Sequence, residues 1–444
     1  MKLARLNALS AAVMLASTAY ANDFIDDASL DIHLRNYYKH DLKDDKGVND
    51  NKSQIAWTQA VRINLSSGYY ANLVGVDLGV HHALKLRGTD GRGDTGLLLE
   101  TTNSDGKEYV GYGKTSYAIK FNLMDMGVAK YGRMYMDTPL LSDSDSRSLP
   151  SLTEGFYAEG AFGAASVYGI IALKENPKGQ SGFDNYGYVK GNDKDKQSVQ
   201  IIGGGYDFGH GFYANLAYGQ QKEIAKKYFA DLNYSTELEG VGVDVGIQYG
   251  KNSISGKSKD DIDKNVAKSD TNQYAWGAKA IATYGAASIG VTYTDVEKTD
   301  IGSYQFEWGM TEMSDGDQVM DSSGYFGYNA LQYSDFNKSG QKAWGINASY
   351  DFDALVEGLS VYGAYVSGKV NEKGNVGSDD PDSWTEKEYN LGVSYAVPMV
   401  EGLSAHVQYA HNTQEDKGTP KNNQKKDVVT TDTRVIIKYD LAVF

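Results

Sequence analysis

Apolar and polar residues alternate with period two along most of the chain. Leu30, Ile32 and Leu34 alternate with Asp31, His33 and Arg35. Val241, Val243, Val245, Ile247 and Tyr249 alternate with Gly242, Asp244, Gly246 and Gln248, and Tyr389, Leu391, Val393, Tyr395 and Val397 with Asn390, Gly392, Ser394 and Ala396. Successive strand side chains point to opposite faces, so each such segment has one apolar and one small or polar face. About eighteen segments can be counted, the first near 28–38 and the last near 428–443, with sixteen as the alternative count.

The connections alternate in length. Short ones include Ser66-Ser67-Gly68, Glu239-Gly240, Leu355-Val356-Glu357-Gly358 and Met399-Val400-Glu401-Gly402; long polar ones fall at about 40–52, 85–107, 175–196, 252–271, 296–340, 372–384 and 414–427. Aromatic residues gather at segment ends, as at Tyr69, Tyr70, Tyr206, Phe208, Tyr284, Tyr350 and Phe352. Strands of roughly ten residues, aromatic girdles, and short turns opposite long loops predict an all-β fold. It is a transmembrane antiparallel up-and-down β-barrel with short periplasmic turns and long extracellular loops. A barrel of this size encloses a water-filled channel unless something plugs it.

The N-terminus adds a destination. Lys2 and Arg5 precede an apolar run from about Leu9 to Ala16 and then Ala19-Tyr20-Ala21. A charged start, an apolar stretch too short to span a bilayer and an A-x-A site predict a cleaved secretory signal at 1–21 and a single barrel domain at 22–444. Loss of Lys2 and Arg5 takes the basic count from 43 to 41 against 58 acidic residues, a net charge of −17. Such an acidic exported chain lacks the basic footprint that nucleic acid requires. The absence of cysteine is compatible with export, since disulfides outside the cytosol are allowed but not obligatory.

One stretch breaks the alternation: DTPLLSDSDSRSLPSLTEG, residues 137–155, bracketed by Pro139 and Pro150. It reads as a loop folded inward to narrow the pore, carrying Asp143, Asp145 and Arg147. Charges are costly against lipid, so the alternation assigns Arg35, Arg62, Lys114, Lys120, Lys279, Arg434 and Lys438 to the channel. Asp31, Asp77, Asp231, Asp244, Asp351 and Asp432 join them. Arg133 is assigned to the pore as well, although both faces look alike around Lys130-Tyr131-Gly132-Arg133. Rings of basic side chains favour anions, and guanidinium suits carboxylate geometry. The alternative is that these are ordinary lumen charges paired with nearby acids.

Other chemistry is thin. His81 and His82 are adjacent on a strand and face opposite sides, so they share no metal. Zinc spacings, a Walker loop and a Ser/His/Asp set are not recognisable, and no catalytic residue, metal or cofactor is expected. GTDGRGDTG (88–96) does not stand between a strand and a helix and so is no phosphate cradle. The loop acids around Ser314-Asp315-Gly316-Asp317 could bind divalent cations shared with surface lipid phosphates.

Several stretches taken in order resemble the OprD-type substrate-specific outer-membrane porins, a family that includes chitoporins. FIDDASLDIHLRNYY (24–38) is similar to the opening strand, and Ser67-Gly68-Tyr69 followed later by GRGDTGLL (91–98) to the second and third strand region. KYG (130–132) with SDSRSLP (144–150) is similar to the pore-loop segment, LQYSDFNKSGQKAW (331–344) to a late-barrel motif, and RVIIKYDLAVF (434–444) to the closing strand. The resemblance implies eighteen strands, a third long loop folded inward, and a basic ladder guiding small hydrophilic solutes, often carboxylates, amino acids or small peptides. It makes Arg35 and Arg147 lumen or eyelet residues and Asp145 their neighbour. It also implies an integral place in the bacterial outer membrane, contact with its lipid and lipopolysaccharide, and recognition of the terminal aromatic strand by the barrel-assembly machinery. Monomer and homotrimer are both left open. The run Ser142-Asp143-Ser144-Asp145 departs from a purely anion-selective pattern. Uptake of chito-oligosaccharides or other sugars is the alternative, with Tyr304, Phe306, Trp308, Tyr325, Phe326 and Tyr328 as aromatic rails. A barrel enzyme or a surface adhesin stands further off.

Overall fold

The computed structural model describes residues 23–46, 52–88, 95–97, 110–190, 193–256, 259, 272–298, 308–309, 327–370, 384–416 and 427–444. Eighteen strands form the wall: β1 Ser29–Lys46, β2 Lys52–Ser66, β3 Val74–Gly88, β4 Gly111–Asn122, β5 Gly127–Met134, β6 Leu152–Phe162, β7 Ala165–Asn176, β8 Val199–Gly209, β9 Phe212–Gln221, β10 Ala225–Leu238, β11 Val241–Ile254, β12 Asn272–Tyr284, β13 Ala287–Val296, β14 Gln341–Asp351, β15 Leu359–Val370, β16 Trp384–Ala396, β17 Leu403–Asp416 and β18 Asp427–Ala442. Each pairs antiparallel with its sequence neighbours. β18 pairs back onto β1 from Asp31↔Ala442 to Lys46↔Asp427, so the sheet closes and has no free edge. The alternation expected from the sequence is therefore that of a closed barrel with eighteen strands.

The outer face is apolar and the inner face polar. Leu216, Ile202, Leu232, Ile247, Ile289, Val291, Leu391 and Ile437 are exposed in the middle of the outer wall. Aromatic residues flank this band. Phe121, Phe162, Tyr206, Phe212, Tyr284 and Tyr350 lie toward the short turns, and Trp57, Tyr228, Tyr249, Trp276, Trp344 and Tyr389 toward the long loops. These are the two girdles of a membrane barrel. Tyr69 is the exception, since it turns inward and lines the lumen beneath Lys120.

The short turns follow from their residues. Glu239 and Gly240 both take positive φ, as a two-residue hairpin requires. The repeated Glu-Gly-Leu-Ser at 357–360 and 401–404 does one job twice. Gly358 and Gly402 both sit at φ +79°, and a Cβ on either would strike the carbonyl of Ala396 or Asp440 in the next strand. Those same glycine carbonyls accept the N–H groups of Ala396 and Asp440.

At the chain's end the register of β18 on β1 runs without a shift. Val443 and Phe444 remain tied to Leu30 through backbone hydrogen bonds of 2.8 and 3.1 Å. The leader expected at 1–21, the acids at 314–317 and the aromatics Tyr304, Phe306, Tyr325 and Phe326 lie outside the described residues.

Candidate functional site: a loop-narrowed channel

Residues 135–151 leave β5 at the long-loop end and fold into the barrel. Their root is apolar. Met136, Leu140 and Leu141 pack on Ile170 of β7, Val199 and Ile201 of β8 and Phe229 of β10. Their tip is polar and meets the opposite side of the barrel. Arg35 on β1 grips Asp145 with two parallel bonds of 2.8 and 2.7 Å, and its guanidinium also donates to the carbonyls of Asp145 and Arg147. Arg62 on β2 reaches Asp145 at 3.3 Å. Tyr37 donates to the Ser146 carbonyl at 3.4 Å, and the Thr58 and Ser148 hydroxyls meet at 2.7 Å. The pore loop therefore crosses the lumen from the β7–β10 wall to the β1–β2 wall.

Bidentate pairing sets the charge state at the tip. Burial opposes the ionised form of Asp145, but the bonds and charge of Arg35, with Arg62 and Lys438 behind it, hold its carboxyl below the usual carboxylate range. Lys438 stands beside Arg35 in register. It is not spent in an ion pair among the described residues. Arg147 lies over Gly96, where a Cβ would come within 2.7 Å of its Nε, so a short piece of the second long loop also enters the lumen. Above this cluster Arg434 is held by Asp432 and donates to the Gln332 carbonyl at 3.0 Å.

The remaining assigned residues occupy other levels. Lys120 and Lys130 share Asp77 at 2.9 and 2.8 Å in the half nearer the short turns. Lys279 pairs with Asp244 at 2.9 Å on the far wall. Lys114 faces inward but is occupied: its ammonium binds the carbonyls of Pro150 and Pro177, joining the end of the pore loop to the next long loop.

Three sequence assignments change. Asp143 is not a lumen residue; it is fully buried at the loop's root, where it accepts the Met136 N–H at 2.7 Å and the Thr153 hydroxyl at 3.2 Å. Burial pushes its carboxyl up to about 7, against the pull of those bonds. Arg133 is on the outer face. It lies opposite the outward Tyr117, stacks on Phe183 and pairs with Glu154 at 2.7 Å. Trp308 is no rail for solutes, since its ring is buried and its indole N–H is used on Leu140. Tyr328 does line the lumen.

Sequence reasoning missed Glu386 and Glu388. Glu388 accepts the N–H groups of Tyr333 and Ser334 at 3.0 and 2.9 Å, and Glu386 takes Lys338 at 3.0 Å. Together they fasten 333–338 to the inner wall. The available signal was a Glu-x-Glu pair on the inward parity of β16, where charge against lipid would be excluded.

The lumen cavity measures about 3320 Å³, several times a pocket built for one small ligand. A closed barrel with apolar outer band, two aromatic girdles and a charged, loop-narrowed aqueous lumen is an outer-membrane channel of the porin class. The chain belongs to the OprD family of outer membrane porins, which it matches over residues 22–443. It is 27% identical to Porin D of Pseudomonas aeruginosa over the full length of both chains. The fold superposes on Pseudomonas aeruginosa OccK9 (OpdG) with a TM-score of 0.76, 21% identity, and coverage of 95% of this chain and 100% of that one. It superposes on the structure of Pseudomonas aeruginosa OpdK with vanillate at 0.72, 19% identity, 94% and 100%. The protein is thus an integral outer-membrane porin of a substrate-specific family.

Proposed function

We propose that the channel passes small carboxylate-bearing solutes (organic acids, amino acids or small peptides) along the wall formed by β18, β1 and β2. The observation that carries this reading is the grip of Arg35 on Asp145. A carboxylate of the chain itself occupies a fork of guanidinium donors, with Arg62 and Lys438 converging on the same place. An incoming carboxylate meets the same chemistry, bidentate and charge-assisted. A structure of similar fold carries vanillate, itself a carboxylate, in keeping with this reading. The leader at 1–21 would direct export, and the strand ending at Phe444 would be read by the barrel-assembly machinery.

The test is flux. Refolded protein in liposomes should swell faster in organic acids and amino acids than in neutral solutes of equal size. Arg62→Ala combined with Lys438→Ala should lower the ratio of carboxylate to neutral flux about tenfold, the worth of one good charge-assisted contact. An unchanged ratio would sink the proposal. Absence of stepwise ion conductance in planar bilayers would contradict the channel itself.

A further inference from the structure

One row of the inner wall mixes imidazole with fixed charge. Across β18, β1, β2, β3 and β4 the register sets Asp440, His33, Arg62, His81 and Lys114 side by side. The row lies one inward position nearer the short turns than Arg35 and Lys438, and its Arg62 reaches the pore-loop tip at Asp145. His33 is the imidazole of this row that water reaches. Its Nδ1 meets Asp440 Oδ1 at 2.7 Å, with the two side chains 30% and 53% exposed on the lumen side. Its other ring nitrogen has no protein partner among the described residues.

Two more imidazoles face inward, and their settings differ. His81 is buried, and its Nε2 meets the Asn64 side-chain oxygen at 3.0 Å. His406 lies between the hydroxyls of Ser394 and Ser404 at 2.9 and 3.3 Å. Neither is bonded to a carboxylate. The charged groups that face His33 are Asp31 and Arg35 on β1, Lys438 and Asp440 on β18, Arg62 on β2 and, past Arg62, Asp145 of the pore loop. With a neutral imidazole, three cations stand against three carboxylates. A proton on His33 leaves one positive charge in excess. Imidazole is the side chain that ordinarily titrates between pH 5 and 8, a window over which exposed carboxylates, lysine and arginine keep their charge.

We infer that His33 and Asp440 together set the charge selectivity of the channel. The pair carries one negative charge while the imidazole is neutral and none once it is protonated. Charged side chains at a narrow point sort ions by sign, so this wall admits anions more readily as pH falls. Small-ion selectivity reports that charge whichever organic solute passes, so the proposal goes beyond the carboxylate reading and does not depend on it. The experiment measures reversal potentials of the refolded full-length barrel in a planar bilayer under a potassium chloride gradient. Salt is kept near 0.1 M, where screening reaches only about 10 Å. Stepwise conductance at both pH values establishes an open channel before selectivity is read. In wild type the potassium-to-chloride permeability ratio should fall about twofold from pH 8 to pH 5.5, the effect of one unit charge beside a passing ion in water. His33→Gln should hold the ratio at the wild-type pH 8 value throughout, and His33→Lys near the wild-type pH 5.5 value throughout. Asp440→Asn at pH 8 should match wild type at pH 5.5, because both lack the same negative charge. His406→Gln should keep the wild-type slope. The inference is overturned if wild type shows no slope, if His33→Gln retains it, if His406→Gln abolishes it, or if Asp440→Asn leaves the pH 8 ratio unchanged.

Discussion

The indole N–H of Trp308 donates to the carbonyl of Leu140 at 2.7 Å, binding the late extracellular connection to the root of the pore loop. The ring rests where only Gly219 leaves room, with the Lys227 ammonium 4.5 Å from its centre. Gly309 continues the clasp. It donates to Gln221 at 2.8 Å, and its carbonyl accepts from Gln221 at 2.7 Å and from Gly187 at 2.9 Å. Three connections meet at one residue pair, so the pore loop's position depends on a segment far from it in sequence.

Trp308→Ala should therefore loosen the constriction. Removal of a buried aromatic costs about 3–5 kcal/mol. The readouts are heat-modifiability on gels and open-channel current noise, lower and higher respectively than wild type. Trp308→Phe keeps the packing and loses one hydrogen bond, about 1 kcal/mol, and should fall between. Equal noise in all three proteins would show that the clasp does not hold the loop.

Asp143 makes the loop root pH-sensitive. Its folded carboxyl is raised to about 7, whereas an unfolded aspartate titrates near 3.8. Between those values the folded chain holds a proton that the unfolded chain has lost, so stability falls as pH rises from about 4 to about 7. Over that window the loss approaches about 1.4 kcal/mol for each pH unit. Asp145 acts oppositely, since its lowered carboxyl contributes stability that is lost only as pH falls below the ordinary range. Thermal unfolding of wild type should weaken from pH 5 to pH 8, and Asp143→Asn should flatten that part of the profile. An identical slope in the variant would assign the effect elsewhere.

The wall was legible in the sequence because a strand's two faces meet two solvents. Lipid outside and water inside impose period two on every segment, and the eighteen segments follow it. Arg133 fails for the same reason: a one-residue shift exchanges the faces. Around Gly132 neither neighbour fixes the phase, and only the partner Tyr117 does. The pore loop's existence could be read from its prolines, but not its bonding. Asp143 and Asp145 are two residues apart in similar surroundings of serine, yet one is buried at the root and the other faces arginine. Outside regular structure no periodicity reports direction, and the partners Met136 and Arg35 are set by the fold. Trp308 shows the limit most clearly, since an aromatic in a polar loop reads as a solute contact until its N–H finds Leu140.

Lys114 offers a second handle on the constriction. Its ammonium satisfies two proline carbonyls, Pro150 closing the pore loop and Pro177 opening the next connection. Lys114→Met preserves the stem and strands both carbonyls, at about 1–3 kcal/mol. Proteolysis of the refolded barrel should show cleavage within the pore loop (135–151) or just after Pro177 sooner than in wild type, with the strands still protected. Unchanged cleavage would mean that the two loops hold without this cation.

Glycine beneath tyrosine fixes the width of the lumen on the β8 side. At Gly205 an added methyl would strike the Tyr213 hydroxyl and lie 2.6 Å from the ring carbon bearing it, well inside contact. Backbone closure in the sheet leaves no slack, because Gly205 is paired with both Ser166 and Asn215. The tyrosine end is the part that can move, and its free direction is the lumen. Gly205→Ala should therefore lower single-channel conductance while costing only about 1 kcal/mol of stability, the low end for overpacking. The double variant Gly205→Ala with Tyr213→Ala removes the displaced ring and should return conductance to at least the wild-type level. A single variant that conducts as wild type, or a double variant that stays low, would show that the ring's posture does not set the pore width.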